Sequence, residues 1–182
     1  MEHPIIYGVC HDIHVARVTV AGAPTRPGIA AEVFRCLADS DVKSDMAQNT
    51  TAPGGRNDLS FVVHESNAAT ALAVLEQARK GIRFESVSVD IGIGRVAMVG
   101  ASLRSNSEII ARYFECLRDA EVAVEMVAAT DTCISVVTRE RDAERAAWHL
   151  KSTFQQSEPS RLLHQQPPPF VMLVKGGNGT AP

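Results

Sequence analysis

The sequence predicts an α+β fold of two βαββαβ units in tandem, the first inserted within the second. Three observations predict it. The first is a stretch carried twice. FRCLADSDVKSDM runs from Phe34 to Met46 and FECLRDAEVAVEM from Phe114 to Met126, an offset of 80. Phe, Cys, Leu, three acids, Val and Met recur in register. The second is that the repeat continues on both flanks. Arg17 to Ala23 (RVTVAGA) matches Arg95 to Ala101 (RVAMVGA) at an offset of 78, and Leu59 to Val63 matches Ile134 to Thr138 at 75. A unit of about 75 to 80 residues is too long for a solenoid repeat, so the chain holds two copies of one small domain. The third is a strand count. The second unit lacks an obvious final strand, while the N-terminal PIIYGVC has no place in the first.

Each element has a local reason. Residues 4–10 form a short strand, followed by a solvated turn with His11, Asp12 and His14. Those three side chains have no further ligand set near them in sequence, so no metal is assigned. Residues 15–22 (VARVTVAG) alternate apolar and polar side chains and are β-branched, as a half-buried strand requires. Pro and Gly make Ala23 to Gly28 a turn. A helix follows from Ile29 to Asp39, with Ala30, Val33, Phe34 and Leu37 as one apolar stripe. The second copy puts Ile110, Tyr113, Phe114 and Leu117 at the same places. Val42 to Asn49 is the second strand, Thr50 to Arg56 a loop, and Leu59 to His64 the third strand. Ser66 is a candidate N-cap for a second helix facing inward with Ala68, Ala71, Leu72 and Leu75. Its equivalent carries Ala143, Ala146, Ala147 and Leu150. Phe84 to Ile91 is the fourth strand.

This strand and helix order is the ferredoxin-like pattern, an antiparallel sheet with two helices on one face. The economical assignment gives residues 4–10 to the second unit as its missing strand. A competing assignment uses Phe170 to Val174. The first places the units at 14–91 and at 1–13 plus 92–156, and leaves 157–182 as a disordered tail.

Composition narrows the function classes. The 182 residues are 45% hydrophobic and 21% charged, ordinary for a globular protein. A net charge of −3 gives no basic footprint for nucleic acid or an anionic membrane. No apolar run reaches 18 residues, and the N-terminus does not read as a secretory signal. Cys10, Cys36, Cys116 and Cys133 form no CxxC pair. They read as small buried hydrophobes in a reducing cytoplasm. Gly92 to Gly100 lacks GxGxxG spacing and a following helix, so it is a turn and strand. No Walker, GxSxG or HExxH motif is present, and no cofactor is expected.

Tandem units of this size resemble the ACT domain, an amino-acid-sensing module. The particular motifs resemble the regulatory part of aspartate kinase. They are PIIYGVCHD at Pro4 to Asp12, VARVTVAGAPTRPGIAAEVFRCLADSDV after it, DMAQN at Asp45 to Asn49, VGASLRSNS at Val99 to Ser107, and VAVEMVAATDTCISVV at Val122 to Val137. The resemblance covers roughly residues 2–155 and implies the nested arrangement. It also implies an effector site at the turn between first strand and first helix, where backbone N–H groups at a helix N-terminus suit a carboxylate.

Residues Thr25, Arg26, Pro27, Gly28, Ile29 and Ala30 provide that turn. Gln48 and Asn49 match a family Gln–Asn pair that completes the site. Thr25 stands where the family has an Asp, which removes a charge. The strand leading to Gln48 is one residue short of the usual form, which flips side chains across the sheet unless a bulge absorbs it. In the second unit Ser105, Asn106, Ser107 and Glu108 stand where the family has a Ser-His-Pro-Gly turn, and Thr130 and Asp131 where it has a Ser-Glu pair.

The resemblance implies an allosteric regulatory subunit that binds lysine, threonine or a related amino acid and contains no kinase active site. It implies a homodimer, or an α2β2 assembly with a catalytic subunit in which a separate β subunit begins near Met1. Two other readings stand beside it: an interaction module with dead ligand sites, and a stand-alone amino-acid sensor.

Overall fold

The computed structural model describes residues 5–155. Two long strands carry the architecture. β1 spans Ile5–Pro24 and β4 spans Ser86–Ala101. Between them lie α1 (Ile29–Asp39), β2 (Ser44–Ala52), β3 (Arg56–His64) and α2 (Ala68–Ile82). After β4 come α3 (Ser107–Asp119), β5 (Met126–Ala129), β6 (Cys133–Arg139) and α4 (Glu140–Gln155). One antiparallel sheet joins the strands in the order β2-β3-β1-β4-β6-β5.

Both long strands serve both units. The second half of β1 pairs with β3, from Val15 opposite His64 to Pro24 opposite Arg56. Among the described residues the first half has β4 alone beside it, from Ile5 opposite Ala101 to Asp12 opposite Arg95. That stretch of β4 is the first strand of the second unit. The chain's N-terminus thus supplies the strand that the second unit lacks in sequence order. The alternative at Phe170 to Val174 lies outside the described residues.

Several expectations are corrected. Residues 11–14 are not a separate turn: β1 runs through them, with register shifts between Asp12 and Arg17 that absorb the polar His-Asp-x-His run. Asp12 Oδ1 accepts the His14 N–H at 2.9 Å, and among the described residues no His, Cys, Asp and Glu cluster could hold a metal. β4 likewise continues through Gly92 to Ala101. The inward stripe of α1 is Ile29, Val33 and Leu37. Ala30 is exposed, because the helix begins at Ile29 and its first residue takes the inward place. Ser66 does not cap α2. It lies in a 3-10 turn, Glu65–Asn67, where its N–H donates to the His64 ring. Leu72 is half-buried, while Ala68, Ala71, Leu75 and Ile82 are buried. Cys10 is exposed, and only Cys116 of the four free cysteines is buried. No helix among the described residues is long and apolar enough to cross a membrane.

Three apolar clusters hold the fold. One joins α1 and α2 to the sheet through residues such as Val18, Val33, Phe61 and Leu75. The second does the same for α3 and α4 through Val96, Tyr113, Ile134 and Leu150. The third contains no helical residue. Its buried members are Val15, Met46, Val62, Ile93, Met126 and Val137, one from each strand. The sheet curls until its outermost strands, β2 and β5, touch. The helix-free face of each unit therefore closes on that of the other.

This seam obeys the repeat. Val15 and Ile93, Met46 and Met126, and Val62 and Val137 are equivalent pairs of the two copies. The ion pairs are reciprocal as well. Arg17 Nη1 meets Glu125 Oε2 at 2.6 Å, and its counterpart Arg95 Nη1 meets Asp45 Oδ2 at 2.7 Å. Isologous contacts of this kind are what two copies of one surface make with each other. The recurring Arg, the third acid and the Met of the repeat all lie there. Six buried side chains at roughly 1.5–3 kcal/mol each supply most of the attraction. The partly exposed ion pairs add about 0–1 kcal/mol each and fix register.

Asp90 and Arg139 extend the charged edge. Asp90 Oδ2 accepts from Arg17 at 2.8 Å and Arg139 at 3.1 Å, and Arg139 Nη2 reaches Glu125 at 3.0 Å. Burial pushes the Asp90 carboxyl up, but the Gly92 N–H and the Arg139 and Arg17 guanidiniums outweigh it and the net shift is downward. A carboxyl with a lowered folded pKa stabilises the fold above its unfolded value of about 3.9, and that contribution is lost as pH falls through the folded pKa. Asp90→Asn is therefore expected to flatten the acid limb of a stability–pH curve below about pH 4. An unchanged acid limb, measured by urea unfolding, would show that the Asp90 ion pairs do not contribute.

Candidate functional site

In both units the turn after the first strand meets the hairpin between the second and third. In the first unit Pro24, Arg56 and Ala52 lie in one row across β1, β3 and β2. A 3-10 turn, Pro53–Gly55, closes the hairpin, with Gly54 and Gly55 both at positive φ. Thr25 Oγ1 donates to the Gly55 carbonyl. The turn itself is tightened by Arg26 N–H donating to Pro24 O at 3.0 Å.

Thr25, Arg26, Pro27 and Gly28 are exposed, and Ala30 is too. Arg26 forms a two-pronged pair with Glu32 of α1 at 2.7 and 2.9 Å. Gly28 is the N-cap of α1, with φ 94°, a left-handed conformation that glycine adopts without strain. No side chain caps this helix. The first N–H groups of α1 therefore have no side-chain acceptor at the N-cap. Ile29 contributes backbone only, since its side chain is buried.

Gln48 and Asn49 are exposed on β2, opposite Ser60 and Leu59. β2 lies two strand spacings from β1, about 10 Å. Among the described residues no hydrogen bond joins Gln48 or Asn49 to the turn. A bulge precedes them: β2 advances three residues from Asp45 to Gln48 while β3 advances two, from Val62 to Ser60. The bulge thus gives β2 one residue more than β3 over this stretch.

The second unit fills its own turns. Ser105 Oγ donates to Ser102 O at 3.1 Å. Asn106 Oδ1 accepts the Ile109 N–H at 3.2 Å and caps α3, whose first residue is the exposed Ser107. Thr130 Oγ1 accepts the Cys133 N–H at 3.0 Å. Asp131 pairs with Arg104 at 3.3 Å, and its carbonyl accepts the Leu103 N–H at 2.9 Å. The equivalent of the open helix start is occupied by Asn106. Sequence reasoning passed over Gly55, Glu32 and Arg104. The Gly54–Gly55 pair was the one available signal for the hairpin.

Comparison with known proteins places this geometry. The ACT domain family model matches residues 18–78 and 96–154. An aspartokinase from Corynebacterium efficiens is 36% identical over 157 residues, covering 85% of this chain. The chain spans 37% of the length of that relative. The ligand-free regulatory subunit of aspartate kinase from Thermus thermophilus superposes with a TM-score of 0.77 at 31% identity, over 82% of this chain and 99% of that one. A structure of aspartokinase alpha and beta subunits matches with a TM-score of 0.75 at 27% identity, again over 82% and 99%. On these matches the chain belongs to the ACT domain family and is built like the regulatory subunit of aspartate kinase.

Proposed function

We propose that the chain binds a free amino acid at the α1 turn of its first unit and biases an aspartate kinase catalytic partner between two states. The observation that carries this is the contrast between helix starts. That of α1 has no side-chain cap, while that of α3 is capped by Asn106. Unpaired N–H groups at a helix N-terminus attract a carboxylate. Arg26, Gly28 and the Gly54–Gly55 hairpin border the place where it would sit. The resemblance supports lysine or threonine as the effector class, and the α/β-subunit relative supports a separate catalytic partner. Binding must differ between the partner's states, or nothing is regulated.

A second reading, an interaction module without ligand, has one observation in its favour. Thr25, in the place of a charged Asp, turns its hydroxyl to Gly55. It is thereby tied to the hairpin.

Thermal unfolding against lysine, threonine and methionine separates the two. A ligand at a hundred times its Kd adds about 2.7 kcal/mol to the folded state. For a chain of this size that raises the midpoint by about 5 °C or more. One amino acid of the panel is expected to do so, and Gln48→Ala to remove most of the shift. No shift with any amino acid at millimolar concentration, with or without the catalytic partner, favours the interaction module.

A further inference from the structure

We infer that Arg95, a residue of the second unit, is a positioning residue for Gln48 and Asn49 of the first. This rests on the reading that those two side chains contribute to the effector site. The bulge in β2 decides where they point. Cross-strand neighbours share a face of the sheet. Gln48 lies opposite Ser60, whose hydroxyl is bonded to Thr19 Oγ1 at 2.9 Å, on the seam face. Asn49 lies opposite Leu59, on the face that the helices cover. A regular strand after Asp45 would exchange the two faces, because side chains alternate with a period of two.

The bulge is held from the other unit. Met46 is in the left-handed region at φ 52°, a conformation that a long side chain avoids without support. Two contacts provide that support. Asp45 Oδ1 accepts the Met46 N–H at 2.7 Å, and Asp45 Oδ2 accepts from Arg95 Nη1, also at 2.7 Å. The Met46 side chain is buried at the seam, in one cluster with Met126. Arg95 thus anchors the carboxylate that anchors the bulge, two residues ahead of Gln48. Effector affinity in the first unit becomes a property of the seam, although Arg95 belongs to neither the turn nor β2.

The repeat supplies the control. Arg17 is the equivalent of Arg95 and makes the equivalent pair with Glu125, away from the β2 bulge. Arg95→Met and Arg17→Met, in the full chain, are compared by two readouts. The first is the cross-strand nuclear Overhauser contact between Gln48 and Ser60, which needs no ligand. Arg95→Met is expected to lose or double it, and Arg17→Met to keep it. The second is affinity for lysine or threonine, whichever shifts the wild-type midpoint. A coupling of ordinary size predicts a loss of about tenfold for Arg95→Met and less than about twofold for Arg17→Met. An intact Gln48–Ser60 contact in Arg95→Met overturns the inference. So does an equal affinity loss in both variants, which would mark general loosening of the seam. If the wild type binds no amino acid of the panel, with or without the catalytic partner, the effector reading fails, and the Gln48–Ser60 contact still decides the role of Arg95.

Discussion

Gly100→Val is expected to release the N-terminal strand and lower the thermal midpoint by about 6–12 °C, the equivalent of roughly 3 kcal/mol. Gly100 pairs with Ile6 at the far end of β4. A Cβ there would overlap the Ile5 carbonyl oxygen and sit 2.8 Å from Leu103 Cδ2. The oxygen is backbone, so it cannot rotate aside while Ile5 stays opposite Ala101. Leu103 is fully buried, so it cannot retreat into solvent. The strand itself must move. Amide exchange is therefore expected to quicken from Ile6 to Cys10 and to stay slow in β3. Gly8→Val is the control: a Cβ at Gly8 meets nothing within 4 Å, so little change is expected. Equal midpoints for the two variants would mean that the N-terminal strand does not complete the second unit.

Tyr113→Ala is expected to cost about 3–5 kcal/mol, and Tyr113→Phe only about 1 kcal/mol. The ring is fully buried at the centre of the second unit's core, edge-on to Phe114 with centroids 5.5 Å apart. Its hydroxyl donates to the Val96 carbonyl at 3.3 Å, and burial raises the phenol's pKa. The ring outweighs the hydroxyl because truncation leaves a cavity, whereas Tyr113→Phe removes a single long hydrogen bond. Urea unfolding of both variants measures the split. A larger loss for the phenylalanine variant would contradict it. The first unit has the smaller Val33 at this repeat position, so the two cores fill equivalent space differently.

Much of this architecture was legible in the sequence because the repeat carries it. Ala143, Ala146, Ala147 and Leu150 were read as one inward face and are buried. The donated N-terminal strand followed from counting strands. Other features were not legible, for physical reasons. The register shifts that carry β1 through His11 to His14 depend on the β4 partner, which no local pattern displays. The third acid and the Met of the repeat were visible as recurring residues. Their purpose was not, because a seam between two units is a tertiary contact. Asn106, which the resemblance puts in an effector turn, sits three residues before Ile109 and caps α3. A polar side chain at the start of a helix has both uses. Only the geometry separates the open start of α1 from the capped start of α3.

That separation is tested most directly by following backbone amide resonances while lysine and then threonine are titrated into the full chain. One of them is expected to move Gly28, Ile29 and Ala30 together with Gln48 and Asn49, and to leave Ser105, Asn106, Ser107, Thr130 and Asp131 unmoved. Shifts confined to residues 105–107 and 130–131 would place the live site in the second unit and contradict the role given to the uncapped helix.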